Sequence, residues 1–315
     1  VIVLPNRDQL VFPDELLLAG AAVRCGLIEA LRAGPRPVAE VAQVIEADHR
    51  ALERLIEALV QLGYLELENS VVALAPEARR MLFEPESEDY TGFAFMHAYS
   101  RLGSWLALPE VIRTGKPPRK ERSPEKIRYF MDAMREHARP VADAVVDLCL
   151  EGLSPPLRLL DLGGGPLNYA VPFARRGVAV TVQDMPEVVA LMAPLVPPGL
   201  EIKLVGRDFR EELAPGPFEV AFLGNITHIY GPDENRDLFS GVAEVLTPGG
   251  RIAILDYVRG VSTRAAYMGV NMLVSSASGG VWRADEYTAW LEAAGFGPPR
   301  IRSIEERQVL VAHLR

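Results

Sequence analysis

The residues best suited to chemistry begin where an acid meets a run of glycines. The segment Leu159-Leu160-Asp161-Leu162-Gly163-Gly164-Gly165-Pro166 follows a β-rich run and precedes a helical stretch expected from about Leu167. Glycine at Gly163 and Gly165 lets backbone approach a ligand where a Cβ would clash, although tight turns also need glycine without any ligand. The acid narrows the choice of ligand. A carboxylate at Asp161 repels a pyrophosphate but holds a cationic amino group, so the loop favours a cofactor that bears an amino acid. Two more strand ends follow in order. Asp184, after Val182-Gln183, is suited to accept both hydroxyls of a ribose. Asp208 is suited to accept a hydrogen bond from an adenine amino group, and Phe209 to stack on the ring. Each has a plain structural alternative: Asp184 could cap a helix beginning at Pro186, and Phe209 could be core. Three such groups at the carboxyl ends of successive strands argue for the joint reading.

Five β-rich runs must position these residues: Leu157–Leu162, Ala179–Gln183, Glu201–Val205, Phe218–Leu223 and Arg251–Tyr257, each separated by helical stretches. Strand-helix alternation predicts a parallel sheet with helices on both faces. Arg300–Ile304 and Gln308–Ala312 suit a terminal antiparallel pair. The fold expected is therefore α/β, Rossmann-like, with a mostly parallel seven-stranded sheet over 151–315. Ahead of it, 89–150 reads as all-helical, with a linker at Gly115-Lys116-Pro117-Pro118 and a helix start at Ser123-Pro124-Glu125. Residues 1–88 read as a mainly α domain: a helix from Glu15 to Leu31 stopped by Gly34-Pro35, a short helix near Pro37–Ala42, and a third capped by Asp48. That third helix presents Leu52, Leu55, Ile56, Leu59 and Leu62 on one face, and Gly63 ends it. A hairpin, Tyr64–Glu68 and Val71–Leu74 around Asn69-Ser70, completes the order of a winged helix.

Composition bounds the partners. With 315 residues and 49% hydrophobic content, two domains are expected. The formal charge of −9 gives no general attraction to nucleic acid or anionic membranes. The third helix mixes His49, Arg50 and Arg54 with Glu53 and Glu57, whereas a groove-reading helix presents an excess of cations. No nucleic-acid or membrane partner is expected. Asn6, Arg7 and Asp8 interrupt the first ten residues where a signal peptide needs an apolar stretch, so a cytoplasmic protein is the expectation. Cys25 and Cys149 have no ligand-like spacing, and the acids of the site sit on separate strands, so no metal is expected.

Asp161–Pro166, Asp184-Met185-Pro186, Asp208-Phe209, Gly224-Asn225-Ile226-Thr227-His228, Leu246-Thr247-Pro248-Gly249-Gly250 and Glu292-Ala293-Ala294-Gly295-Phe296 together resemble class I O-methyltransferases of the hydroxyindole and caffeate type. With the winged helix, the resemblance covers nearly the whole chain. It implies S-adenosyl-L-methionine as cofactor and S-adenosyl-L-homocysteine as product, with Met185 and Asn225 joining the cofactor site. It also implies a homodimer through the amino-terminal domain and a helical middle that covers the substrate. The family's base histidine matches His228, just beyond the fourth strand. A phenolic acceptor, with an ordinary pKa of about 10, benefits from such a base. The alternative is that His228 merely satisfies loop backbone.

Three departures stand out. Leu167 occupies the place of the family's third glycine, Ile229 and Tyr230 follow the histidine instead of aspartate and tryptophan, and Trp282 falls where a glutamate commonly orients the histidine. Asp256, ending the fifth strand, is the candidate to orient His228 instead. For the acceptor, a small aromatic or secondary-metabolite hydroxyl compound, the candidates are Met96, Tyr99, Trp105, Phe130, Met134, Met268, Asn271 and Met272. They would line a pliable apolar cavity, although aromatics and methionines at helical spacing also build plain core. Methyl transfer to carbon or nitrogen on the same fold, and a ligand-sensing winged-helix regulator of DNA, remain open. A nicotinamide oxidoreductase is disfavoured by Asp161.

Overall fold

The computed structural model describes residues 12–119 and 123–315, so the reading of the first ten residues lies outside it. The chain forms two compact units, the first ending at Arg101 and the second beginning at Leu102.

The single first helix expected over Glu15–Leu31 is two. Helix α1 (Asp14–Arg24) stops because Gly26 takes φ +85°, and α2 (Leu27–Ala30) restarts beyond it. A two-residue strand, β1 (Arg36–Pro37), precedes α3 (Val38–Val44). In α4 (His49–Gln61) the Asp48 carboxylate caps the first turn by accepting the Ala51 amide at 2.9 Å. Its face of Leu52, Ile56 and Leu59 closes a core with Leu27, Leu31, Val41, Leu65 and Val72. The hairpin of β2 (Leu65–Glu68) and β3 (Val71–Leu74) turns through Asn69 and Ser70, both left-handed, and β1 adds to it in the order β1-β3-β2. Helix α5 (Pro76–Phe83) follows, and α6 (Ala94–Leu106) carries the chain across the unit boundary.

The second unit continues with α7 (Leu108–Thr114), α8 (Pro124–Ala138) and α9 (Ala142–Leu150). The Ser123 hydroxyl caps α8 by accepting the Lys126 amide. Then come β4 (Leu157–Leu162), α10 (Ala170–Arg175), β5 (Val178–Asp184), α11 (Pro186–Met192), β6 (Ile202–Gly206) and β7 (Phe218–Gly224). The chain ends with α12 (Pro232–Val245), β8 (Leu246–Asp256), α13 (Thr263–Leu273), α14 (Ala284–Ala293), β9 (Arg300–Ile304) and β10 (Arg307–His313). The strands form one sheet in the order β6-β5-β4-β7-β8-β10-β9, in which β10 alone runs against the direction of the others. Strand β8 begins at Leu246, before the expected Arg251, because the glycine turn is absorbed in a register shift opposite Phe218 and Val220.

Strand alternation separates two cores. Leu159, Val180, Val182, Val220, Phe222, Leu255 and Val309 face one side, and Leu160, Leu162, Ala221, Leu223, Ile254 and Leu310 the other. Continued to the strand ends, the alternation puts Asp161 and Asp184 on the first face and Asp256 on the second. The winding direction reverses between β4 and β7, which opens a crevice at their carboxyl ends.

Candidate active site

The glycine loop is shaped by three left-handed residues, Gly163 (φ +65°), Gly165 (φ +46°) and Leu167 (φ +62°). A Cβ at Gly163 would fall 2.2 Å from the Ile226 Cδ1 atom. Leu167 holds a conformation natural to glycine and compensates by burying its side chain in the first core. The next helix therefore starts at Ala170, later than expected. Gly164, not singled out from sequence, lies over Asp161: a Cβ there would come 2.8 Å from the Asp161 Oδ2 atom.

Asp184 locks this loop to β5. Its Oδ2 accepts the Gly165 amide at 2.9 Å and its Oδ1 the Met185 amide at 2.7 Å. Burial raises its pKa, and the two amides oppose the rise. Each oxygen keeps a second lone pair, enough for a ribose diol. Asp161 is 1% exposed, and its Oδ2 has no hydrogen-bond partner. Burial and then the neighbouring Asp184 push its pKa up to about 8. An orphaned, buried carboxylate oxygen beside a ribose acceptor fits a nucleoside whose far end is cationic.

The remaining cofactor candidates are more engaged with the protein. Asp208 forms a forked ion pair with Arg210, at 3.1 Å to Nε and 2.6 Å to Nη2, which holds its carboxyl below the usual range. Phe209 is 9% exposed, packed in the second core with its ring edge-to-face on Tyr230. Asn225 is left-handed and donates its amide to the Leu255 carbonyl at 2.8 Å, pinning the end of β7 to β8.

On the opposite sheet face the structure brings His228 and Asp256 together. The His228 Nδ1 lies 2.7 Å from Asp256 Oδ1, which also accepts the Tyr257 amide at 2.7 Å. Asp256 Oδ2 accepts the Thr227 hydroxyl at 2.6 Å and the His228 amide at 3.1 Å. Burial alone would raise the Asp256 pKa, but His228, Thr227 and the Tyr257 amide outweigh it and hold the carboxyl below its ordinary value. An ionised Asp256 only accepts, so Nδ1 carries a proton, and in the neutral ring the lone pair then falls on Nε2.

Residues not expected from sequence fix this turn. The Thr227 proton is spent on Asp256, so the Tyr287 hydroxyl, 2.6 Å away, donates to Thr227. Asn235 donates to the carbonyls of Thr227, Tyr230 and Gly231. Trp282 donates its indole N–H to the Thr227 carbonyl at 3.0 Å. The available signal was a polar residue within an apolar helical stripe: Asn235 with Leu238, Phe239 and Val242, and Tyr287 with Trp290 and Leu291.

The acceptor candidates divide between the units. In the first, Met96 is fully buried and the Tyr99 ring fills the space a Cβ of Gly20 would need. In the second, Trp105 and Met134 are half-buried, Phe130 is 41% exposed, and α13 carries Met268, Asn271 and Met272, with the Asn271 amide 3.6 Å from the Met268 sulfur. Among the described residues no three acids, histidines or cysteines are grouped to hold a metal, and no helix is long and apolar enough to cross a membrane.

The chain is similar to proteins of known activity. Residues 114–297 match the model of the O-methyltransferase domain. The chain is 28% identical to 3-hydroxy-5-methyl-1-naphthoate 3-O-methyltransferase of Streptomyces sahachiroi, over 87% of this chain and 84% of that protein. Human N-acetylserotonin methyltransferase, solved in complex with S-adenosylmethionine, shares the fold at a TM-score of 0.71 and 22% identity, covering 96% of this chain and 94% of its own. So does the N,N-8-amino-8-demethyl-D-riboflavin dimethyltransferase of Streptomyces davawensis, at 0.75 and 20% identity, with 96% of each chain covered. The family model spans more than half of the residues, and the chain therefore belongs to the O-methyltransferase domain family as an S-adenosylmethionine-dependent enzyme.

Proposed function

We propose that the chain transfers a methyl group from S-adenosylmethionine to a hydroxyl of a small aromatic acceptor, with His228 as general base and Asp256 as the residue that orients it. The observation carrying this reading is the 2.7 Å contact between His228 Nδ1 and an Asp256 whose other lone pairs are filled. The bound cofactor supplies an electrophilic methyl group on a sulfonium and leaves as S-adenosylhomocysteine. The chain's own residues do the rest. Asp161 pairs with the cofactor's ammonium and Asp184 accepts the ribose hydroxyls. Gly163 and Gly165 give the close backbone approach, and Met185, Asp208, Phe209 and Asn225 complete the surround. His228 Nε2 takes the acceptor's proton as its oxygen becomes the nucleophile, and Asp256 stabilises the imidazolium that results. Asp256 also prevents the ring from turning its protonated nitrogen toward the acceptor. A naphthol-type acceptor suits the aromatic and methionine side chains of the helical middle, as the naphthoate named for the Streptomyces relative supports.

Replacing His228 by Ala should leave S-adenosylhomocysteine affinity unchanged and lower kcat by roughly 10²–10⁴-fold on a phenolic acceptor. Wild-type kcat in the variant would refute the base and favour transfer to a neutral amine or to carbon. The amino-terminal winged helix is proposed as the dimerisation module of a homodimer. Light scattering at micromolar concentration should give twice the chain mass, and a monomer would refute it.

A further inference from the structure

Arg307 opens β10, outside the segment matched by the family model, and is 7% exposed. It makes one hydrogen bond, from Nη2 to the His137 carbonyl at 3.1 Å near the end of α8, and no ion pair with any described acid. Its counterpart in burial, Arg251, spends Nη1 on two carbonyls at the end of α9, those of Cys149 and Glu151. Beyond that carbonyl, the Arg307 guanidinium meets the Tyr169 hydroxyl, which leaves N–H donors to spare. A guanidinium held from one side in this way has further N–H groups to offer an anion.

The register of the sheet says where that anion would lie. Gln308 stands opposite Asp256, so Arg307 points to the other face, together with Val309, the Tyr169 ring and Asp161. Tyr169, buried at the start of α10, has a hydroxyl without a well-formed hydrogen bond that feels both the positive Arg307 and the negative Asp161. One cation and one acid with an orphaned oxygen thus share a face of the sheet, on β10 and β4, and the Tyr169 hydroxyl interacts with both. The complement of such a pair is a zwitterion.

We infer that Arg307 and the Tyr169 hydroxyl form a carboxylate site at the edge of the crevice, and that it holds the α-carboxylate of the cofactor while Asp161 holds its ammonium. The inference rests on the cofactor reading above. The other source of a carboxylate is an acidic acceptor, and the two are separable by ligand.

Calorimetry would compare three ligands on the full chain: S-adenosylhomocysteine, its decarboxylated analogue S-adenosyl-3-thiopropylamine, and 5′-methylthioadenosine, which lacks both charges. Arg307→Met should weaken S-adenosylhomocysteine by roughly 10–100-fold, the usual worth of a charge-assisted bond. It should leave the other two within about 3-fold. Tyr169→Phe should weaken S-adenosylhomocysteine less, in the same pattern. Asp161→Asn should weaken both amine-bearing ligands and spare methylthioadenosine. Arg307→Lys keeps the charge and should recover part of the loss if Arg307→Met folds poorly. Equal loss for all three ligands overturns the site, because it marks a structural role. Unchanged S-adenosylhomocysteine with weakened 3-hydroxy-1-naphthoic acid, but not its amide, overturns the cofactor assignment in favour of the acceptor. Wild-type chain that binds none of the three nucleosides refutes the cofactor reading itself.

Discussion

Asp161 and Asp256 lie in the last two residues of two strands of one sheet, and each is almost fully buried. Desolvation opposes the charge of both, yet Asp161 is pushed up to about 8 while Asp256 is held below the ordinary value. The difference lies in the donors that the fold supplies. Asp256 receives two backbone amides, a hydroxyl and an imidazole N–H, one for each lone pair. Asp161 has an oxygen with no donor, closed over by a glycine. Equal burial thus yields a finished anion on one face and, on the other, an acid that stays mostly protonated at neutral pH until a cation is added. The first suits a group that must stay charged through every turnover, the second a group that binds and releases a cationic ligand.

The contrast can be broken most severely at Asp256. Asp256→Asn keeps the shape but offers an amide in place of an acceptor-only group. It should lower kcat by roughly 10²–10⁴-fold with S-adenosylhomocysteine affinity unchanged, by analogy with triads that lose the proper tautomer. Wild-type kcat in this variant would reduce Asp256 to a structural role. Next is the pH dependence of Asp161. Its folded pKa lies above the ordinary 3.8, so the folded chain binds the extra proton, and stability should fall by several kcal/mol as pH rises from about 4 through 8. Urea unfolding of Asp161→Asn should lose that slope and exceed the wild type at pH 8. Parallel curves would show that Asp161 is already ionised. Binding S-adenosylhomocysteine at pH 7 should release close to one proton, read from calorimetry in buffers of different ionisation enthalpy.

Smaller effects sharpen the comparison. Leu167→Gly removes about 1–2 kcal/mol of left-handed strain but also a buried leucine worth about 2–5 kcal/mol, so a net loss of about 1–3 kcal/mol is expected by denaturant titration. A gain would mean that the strain outweighs the packing. Tyr287→Phe deletes only the outermost hydroxyl of the Asp256 network. It should cost about 1 kcal/mol and leave kcat within a few-fold of wild type.

Much of the sheet was legible because its strands are short apolar runs punctuated by glycine, and β4 falls where the pattern puts it. The first helix was misread because Gly26 lies within an apolar periodicity that continues on both sides. A single left-handed residue breaks a helix without altering its pattern. At the site, Asp161, Asp184, His228 and Asp256 were visible as acids and a histidine at strand ends. Thr227 and Tyr287 were not, because their partners come from elements far apart in sequence, and Asn235 was not, because its nearby partners are backbone carbonyls that carry no residue signal. Leu167 was visible as a departure, but its left-handed backbone was not.

Trp282 carries one more consequence. Of the chain's three tryptophans, this one binds the Thr227 carbonyl and meets Trp290 edge-to-face at 5.5 Å. Its indole therefore couples the backbone beside His228 to an excitonic pair, so any rotation of that turn changes the environment of a natural chromophore. Trp282 makes the corner around His228 optically observable without a label.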